Sequence, residues 1–290
     1  MRKLLFFHNH SLEYDSTIGH GGYGTIYKVY SSKYQTFFAL KQIPEEQFNE
    51  AEVECLKSID DPRIVNLYKY YSFNHSIYLL MEYCPSDLYH FIRDKPNLSQ
   101  SEIIRLIHEA VLCVKSCHDR GISHCDIKPS NFLVDKYGRI KICAFGLSSI
   151  CSSTELRHDF KGTKVFLSPE IVKRVDYNPF SSDIWSLGVT LFYIATRSLP
   201  FANYNSKILS ERICNGIYDA SRITNPEIRD IVAKCLTINP EMRPSCTDLV
   251  NFPFFSNLSN KRMDLRISKS IRSNPVIIRP KIDVRKTIST

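Results

Sequence analysis

The sequence predicts an α+β fold, rich in strands towards its N-terminal end and helical beyond. Three observations carry this expectation. Residues 14–43 form short runs of apolar and aromatic side chains, alternating in places, broken by a glycine cluster, a pattern that reads as strands around a turn. Residues 44–59 and 99–119 instead carry apolar side chains at helical spacing. Beyond the second helix stand Asp126, Lys128 and Asn131, two and then three positions apart and interrupted by Pro129, so they belong to a loop. At 290 residues and 43% hydrophobic content the chain can hold one large domain or two lobes that share an interface.

In order, residues 14–18, 25–30 and 36–43 read as strands, with Gly19, Gly21, Gly22 and Gly24 in the first turn. Glycine allows a tight turn and lets backbone N–H groups approach phosphate oxygens without a Cβ in the way. On spacing alone a plain hairpin turn serves equally well. A strand follows these glycines, where a dinucleotide-binding fold needs a helix. The third strand carries Phe38-Ala39-Leu40-Lys41, one cation among apolar neighbours. On the helix expected at 44–59, Phe48, Ala51, Cys55, Leu56 and Ile59 share one face. Glu52 falls inside that face, whereas Glu46, Glu50 and Glu54 point away. A carboxylate on a packing face needs a cation, and Lys41 is the expected partner.

Residues 67–73 and 77–82 read as a hairpin around Asn74-His75-Ser76, after which the chain runs into the turn residues Tyr83-Cys84-Pro85-Ser86. Ser99-Gln100-Ser101-Glu102 is a capping box that opens a helix to about residue 119, with Ile103, Leu106, Ile107, Ala110, Val111 and Val114 at helical spacing. After the polar loop, residues 132–134 and 139–142 read as two short strands around Asp135-Lys136-Tyr137-Gly138. The second delivers Ala144-Phe145-Gly146 back beside the loop. A segment with Ser148, Ser149, Ser152, Ser153 and Thr154 follows, and residues 182–195 are apolar nearly all round, as in a helix inside a lobe.

The ten cysteines are scattered and define neither a disulfide framework nor a metal site; Cys113 and Cys117, four apart, have apolar flanks and read as buried thiols. No apolar run approaches the roughly 18 residues of a membrane span. Leu4-Leu5-Phe6-Phe7 is too short for a signal-peptide core, so the expectation is a reduced cytosolic or nuclear protein. The formal net charge is +8, and residues 261–290 hold nine Lys and Arg against two Asp, a net of +7. That tail reads either as a solvated segment or as one that meets an anionic partner: an acidic protein, a membrane surface or nucleic acid.

These motifs in this order, over residues 14–255, resemble the eukaryotic protein kinases: the glycine turn, Phe38-Ala39-Leu40-Lys41, His124-Cys125-Asp126 with Lys128 and Asn131, Ala144-Phe145-Gly146, Ser168-Pro169-Glu170 and Asp183-Ile184-Trp185-Ser186-Leu187-Gly188. Lysine two after Asp126 resembles the serine/threonine type. The Trp185-Ser186-Leu187-Gly188-Val189 run with Leu199-Pro200-Phe201 looks most like the calcium/calmodulin-dependent kinase group. The resemblance implies a bilobal protein-kinase-like fold: an N-terminal extension at 1–13, a small β-rich N-lobe with one helix over about 14–82, a hinge at about 83–86, a larger helical C-lobe over about 87–255 and a basic tail at 256–290. It implies ATP binding by Gly19, Gly21, Gly22, Gly24, Ile26, Ala39, Lys41, Glu52, Met81, Glu82, Cys84 and Leu133. Met81 would stand behind adenine, the backbone from Glu82 to Cys84 would bond the base, and Lys41 would contact the α and β phosphates.

The same resemblance makes Asp126, Lys128 and Asn131 catalytic. Asp126 would orient a substrate hydroxyl, Lys128 would stabilise charge on the transferred phosphoryl, and Asn131 would offer its amide oxygen to Mg2+. Glu170 paired with Arg243, and Asp183 anchoring the catalytic loop, would be structural. The implied partner is a protein substrate or a regulated partner kinase. Two positions depart from the family pattern. Cys125 stands where arginine is usual and cannot pair with a phosphate on the serine-rich activation segment. Ala144 stands where the metal-binding aspartate is usual and offers no oxygen, and Asp135, in the hairpin turn, is expected to point away. An ATP-dependent kinase with weakened or atypical metal use and a pseudokinase scaffold or allosteric regulator both remain open.

Overall fold

The computed structural model describes residues 2–21, 24–150, 155–255 and 287–288. The chain opens with a helix, α1 (Arg2–Asn9), and then enters an antiparallel sheet: β1 (Leu12–Gly21), β2 (Gly24–Ser31) and β3 (Thr36–Pro44). A helix, α2 (Glu50–Ser58), precedes β4 (Leu67–Phe73) and β5 (Ser76–Glu82), and the spatial order is β1-β2-β3-β5-β4. This is the expected β-rich lobe with one helix behind it.

The sheet is buried on both faces, and period-2 alternation sorts its side chains. On one face Ala39, Ile43, Ile77, Leu79 and Met81 pack with Val53, Cys55 and Leu56 of α2 and continue into the C-lobe core. On the other, Phe38, Leu40, Tyr78 and Leu80 join Tyr27, Val29 and Tyr71 in a second cluster, closed by Phe6 and Phe7. The segment before residue 14, expected as an extension, is therefore a lid on the outer sheet face. The Phe6 ring stacks on Tyr78 (centroids 4.1 Å apart) and meets Tyr71 edge-on at 5.5 Å. Ser11, at φ 54°, ends the helix and turns the chain into β1.

The helix expected at 44–59 is shorter. Residues Glu45–Gln47 make a 3-10 turn, Phe48 is extended (φ −76°, ψ 129°), and α2 begins at Glu50. The break lets Phe48 pack against the core, and the Asn49 side chain donates to Gly146 O at 3.3 Å.

The chain crosses to the larger lobe through β6 (Ser86–Asp87) and α3 (Leu88–Asp94), whose N-cap is Asp87. Helix α4 (Gln100–His118) has the expected capping box between Ser99 and Glu102. Beyond it lie β7 (Ile122–Ser123), β8 (Phe132–Val134), β9 (Ile140–Ile142) and β10 (Ser149–Ile150). Strand β8 pairs with β6 and β9, and β10 with β7. The remaining helices are α5 (Pro169–Val172), α6 (Pro179–Thr196), α7 (Ser206–Asn215), α8 (Pro226–Cys235) and α9 (Cys246–Val250). Helix α6 runs through the lobe interior against α4 and α8. A Cβ on Gly188 would stand 2.7 Å from Cys235 Cβ, so only glycine lets α6 and α8 approach this closely.

The nine cysteines among the described residues are all free thiols. No helix among them is long and apolar enough to cross a membrane. Ser152, Ser153, Thr154, Gly22 and the tail from 256 lie outside the described residues, except that β11 (Thr287–Ile288) runs parallel to β4 beside Tyr71 and Ser72.

Phe6→Ala removes a fully buried aromatic side chain and is expected to cost about 3–5 kcal/mol in urea unfolding. Leu5→Ala, at a residue 53% exposed on the same helix, is expected to change the midpoint little.

Candidate active site

A cleft of about 780 Å3 opens between the lobes, within the ordinary range for a small-molecule site. Its roof is the sheet, with Gly19, Gly24, Ile26, Ala39 and Lys41 among its lining residues. Gly24 is at φ 113°, and a Cβ there would stand 2.0 Å from Gln42 O, so this turn position admits only glycine. Gly21 closes β1 opposite Gly24. Met81, Glu82 and Cys84 form the back and Leu133 the floor. The Glu82 side chain is occupied elsewhere. It accepts from Lys141 Nζ and Asn66 Nδ2, both at 2.9 Å, and that lysine is only 4% exposed.

Lys41 sits between Ile26 of β2 and Leu79 of β5, and its ammonium reaches 2.6 Å from Glu52 Oε1 on α2. At 8% and 3% exposure the two groups are withdrawn from water, so each is the other's compensation. The expected pair is present.

The polar loop hangs from a buried carboxylate. Asp183 of α6 accepts from His124 N at 2.7 Å and Cys125 N at 2.8 Å, and His118 Nε2 adds a bond at 3.0 Å. Burial holds the His124 imidazole below its ordinary pKa, despite the neighbouring Asp183 charge. The neutral ring fits its partners: Nε2 donates to Cys143 O at 2.7 Å, while Asp126 N donates to Nδ1 at 3.3 Å. Its neighbour Phe145 is fully buried, with ring centroids 5.2 Å apart.

Asp126, Lys128 and Asn131 converge on the cleft floor. Lys128 Nζ is 2.8 Å from Asp126 Oδ2, and Asn131 Nδ2 donates to Asp126 O at 2.6 Å and to Oδ2 at 2.9 Å. With its amide nitrogen so engaged, the oxygen is the group Asn131 can offer a ligand. Thr163 completes the set: it donates to Asp126 Oδ1 at 3.2 Å and accepts from Lys128 at 2.8 Å. Its bridging role was not expected, because it lies 37 residues from Asp126 and carries no charge.

Ala144 is at φ 66° and ψ 61°, the left-handed region that aspartate and asparagine tolerate better than alanine, and it lines the cleft. Asp135 does not substitute for a carboxylate there. It accepts from Tyr137 N and Arg139 N and pairs with the Arg139 guanidinium within its own turn. The cleft also contains Asp87, His90, Asp94 and Cys143, which the sequence did not single out. Asp87 caps α3 through His90 N, and its other oxygen is 2.6 Å from His90 Nδ1. Burial pushes the Cys84 and Cys143 thiols up to about 12, which makes both poor nucleophiles.

Below the cleft, Arg243 holds Glu170 through two parallel bonds of 2.6 and 2.8 Å. The guanidinium also donates to the carbonyls of Ser181, Thr237 and Ile238 and lies 5.1 Å from the Trp185 ring.

A glycine-turned sheet, a buried lysine–glutamate pair and a polar loop anchored from below define a protein of the kinase class. Residues 12–255 match the family model of the protein kinase domain, and the chain belongs to that family. Among its relatives, "Putative sperm motility kinase W" of Mus musculus is 31% identical over 273 residues, 92% of this chain and 52% of the relative. "Sperm motility kinase 3A" of Mus musculus is 32% identical over 82% of this chain and 48% of its own length. "Serine/threonine-protein kinase GIN4" of Saccharomyces cerevisiae is 32% identical over 78% of this chain and 20% of the relative. The chain spans about half the length of the two mouse relatives.

Arg243→Met would leave the Glu170 carboxylate buried without its cation and is expected to cost about 3–5 kcal/mol in chemical unfolding. The paired variant Glu170→Leu with Arg243→Met should recover most of that loss.

Proposed function

We propose that the chain is an ATP-binding serine/threonine protein kinase domain whose use of metal is weakened, acting on a protein substrate or a partner kinase. The observation that carries the reading is the alignment within one cleft of the Lys41–Glu52 pair and the Asp126–Lys128–Asn131 set. Lys41, fixed by Glu52, holds the α and β phosphates. The backbone from Glu82 to Cys84 meets the base, and the glycine turn covers the phosphates. The hydroxyl oxygen attacks the γ-phosphorus of ATP as the bond from that phosphorus to the β,γ-bridging oxygen breaks, the hydroxyl proton passes to Asp126, and ADP leaves. Asp126 orients the attacking hydroxyl, and Lys128 stabilises charge on the group in transit. Within the family, the Trp185 and Leu199-Pro200-Phe201 runs favour the calcium/calmodulin-dependent group.

These residues do not build a magnesium site of their own. Asn131 contributes one amide oxygen, Asp126 already serves Lys128, Asn131 and Thr163, and position 144 is a methyl group. No group of three His, Cys, Asp or Glu among the described residues could hold a metal ion. Ala144 also supports a second reading, a pseudokinase that binds nucleotide and signals through its conformation.

ATP is expected to raise the melting temperature with or without Mg2+, and Lys41→Ala should abolish the shift. Ala144→Asp is expected to raise phosphate transfer from labelled ATP by about 10²–10³, the scale of one lost transition-state contact. If the native chain transfers nothing with Mg2+ or Mn2+ while Ala144→Asp does, the kinase reading falls and the pseudokinase one stands. Robust turnover that vanishes in Asp126→Asn decides the opposite way.

A further inference from the structure

Cys125 lies in the left-handed region at φ 63°, between His124 and Asp126. Burial raises its thiol to about 12, so it is neutral and offers an anion nothing. A guanidinium nevertheless stands over it, delivered by the segment that follows β10. Arg157 Nη1 donates to Cys125 Sγ at 3.2 Å and to Ser149 Oγ at 2.8 Å. Its Nε donates to Asp159 Oδ1 at 2.6 Å, and its Nη2 bonds the second oxygen of the same carboxylate. This fork closes on a residue two positions along the chain, and the arginine side chain is only 18% exposed.

The backbone reinforces the fork. Arg157 N donates to Tyr177 O at 2.9 Å, Tyr177 N returns a bond to Arg157 O at 3.2 Å, and the Tyr177 hydroxyl donates to Asp159 O at 2.8 Å. Beyond Asp159 the chain passes Gly162, at φ 123°, where a Cβ would stand 3.4 Å from Cys125 O. One residue later Thr163 sits between Lys128 and Asp126. Two hydrogen-bonded contacts thus lay this segment against the catalytic loop, at Cys125 Sγ and at Asp126, and between them the backbone at Gly162 passes close to Cys125 O.

The geometry points to Arg157 as a positioning residue: paired with Asp159 over the Cys125 thiol, it fixes residues 155–163 so that Thr163 meets Asp126 and Lys128 without an added phosphate. The charges support this. The Arg157 guanidinium that stands over the thiol is matched by both oxygens of the Asp159 carboxylate, so its charge is already engaged within its own segment. That Thr163 is thereby placed for transfer rests on the kinase reading; the clamp itself does not.

Hydrogen exchange followed by mass spectrometry tests it on the full chain, before and after phosphatase treatment. The native protein should exchange identically in both states. Arg157→Ala and Asp159→Ala should each speed exchange at Arg157 and Tyr177 by about tenfold or more, with Arg157→Lys between them and native. Adding Cys125→Arg to Arg157→Ala should restore protection by returning a guanidinium from the loop side, a rescue that a loss of packing alone would not give. The ATP-dependent melting shift should persist in Arg157→Ala. Its absence from every variant and the native chain would overturn the nucleotide reading and leave the clamp intact. Unchanged exchange in both Arg157→Ala and Asp159→Ala, or loosening of the native segment by phosphatase, would overturn the clamp.

Discussion

The Lys41–Glu52 pair joins parts of the molecule that share no backbone. Lys41 comes from the middle of the sheet and Glu52 from the one helix behind it, and both are largely withdrawn from water. Because an unpaired buried charge is expensive, α2 cannot swing away from β3 without stranding both groups. The position of α2 in turn bears on the loop after β9. Asn49, just before the helix, donates to Gly146 O, and a Cβ on Gly146 would stand 3.6 Å from Glu52 Oε2. One ion pair therefore couples sheet, helix and the Ala144-Phe145-Gly146 turn into a single arrangement, with Lys41 aimed at the cleft.

A second anchor acts from below with the same logic. Asp183 is buried in α6 and spends its oxygens on the backbone N–H groups of His124 and Cys125 and on His118. That fixes the entry to the polar loop, while Asn131 ties its exit to Asp126. The Arg157–Asp159 fork then presses on the same loop from the side. Asp126 is thus set by Asp183's hold on the two residues before it, by Lys128 and Asn131 of its own loop and by Thr163.

Much of this was legible in the sequence wherever a residue broke the pattern of its own element. Glu52 betrayed itself as a carboxylate on an apolar helix face, and the Ser99–Glu102 box marked the start of α4 to within a residue. Residues whose meaning comes only from tertiary contact were not legible. Phe6 and Phe7 sit in an apolar run too short to show a period, and become a lid only because the sheet's outer face is aromatic. The break at Phe48 was hidden because its apolar side chain fits the helical wheel as well as the core contact it actually makes. Arg157 and Thr163 looked like ordinary loop residues, since Cys125 and Asp126, the loop residues they meet, lie 32 and 37 positions away.

Ala144 acquires a definite electrostatic meaning once those pairs are in place. Deep in the cleft, Glu52 is matched by Lys41 and Asp126 by Lys128, so these two acids are already balanced by cations. An aspartate at 144 would add a carboxylate with no protein cation to match it, and beside a triphosphate only a divalent ion could relieve the repulsion. Alanine removes that requirement. On the proposed kinase reading, the alanine lowers the electrostatic demand for metal in binding while it withholds a fixed charge that transfer would use. Ala144 adopts the left-handed backbone conformation, and the next residue, Phe145, packs against His124. That geometry serves the architecture of the cleft independently of the metal chemistry.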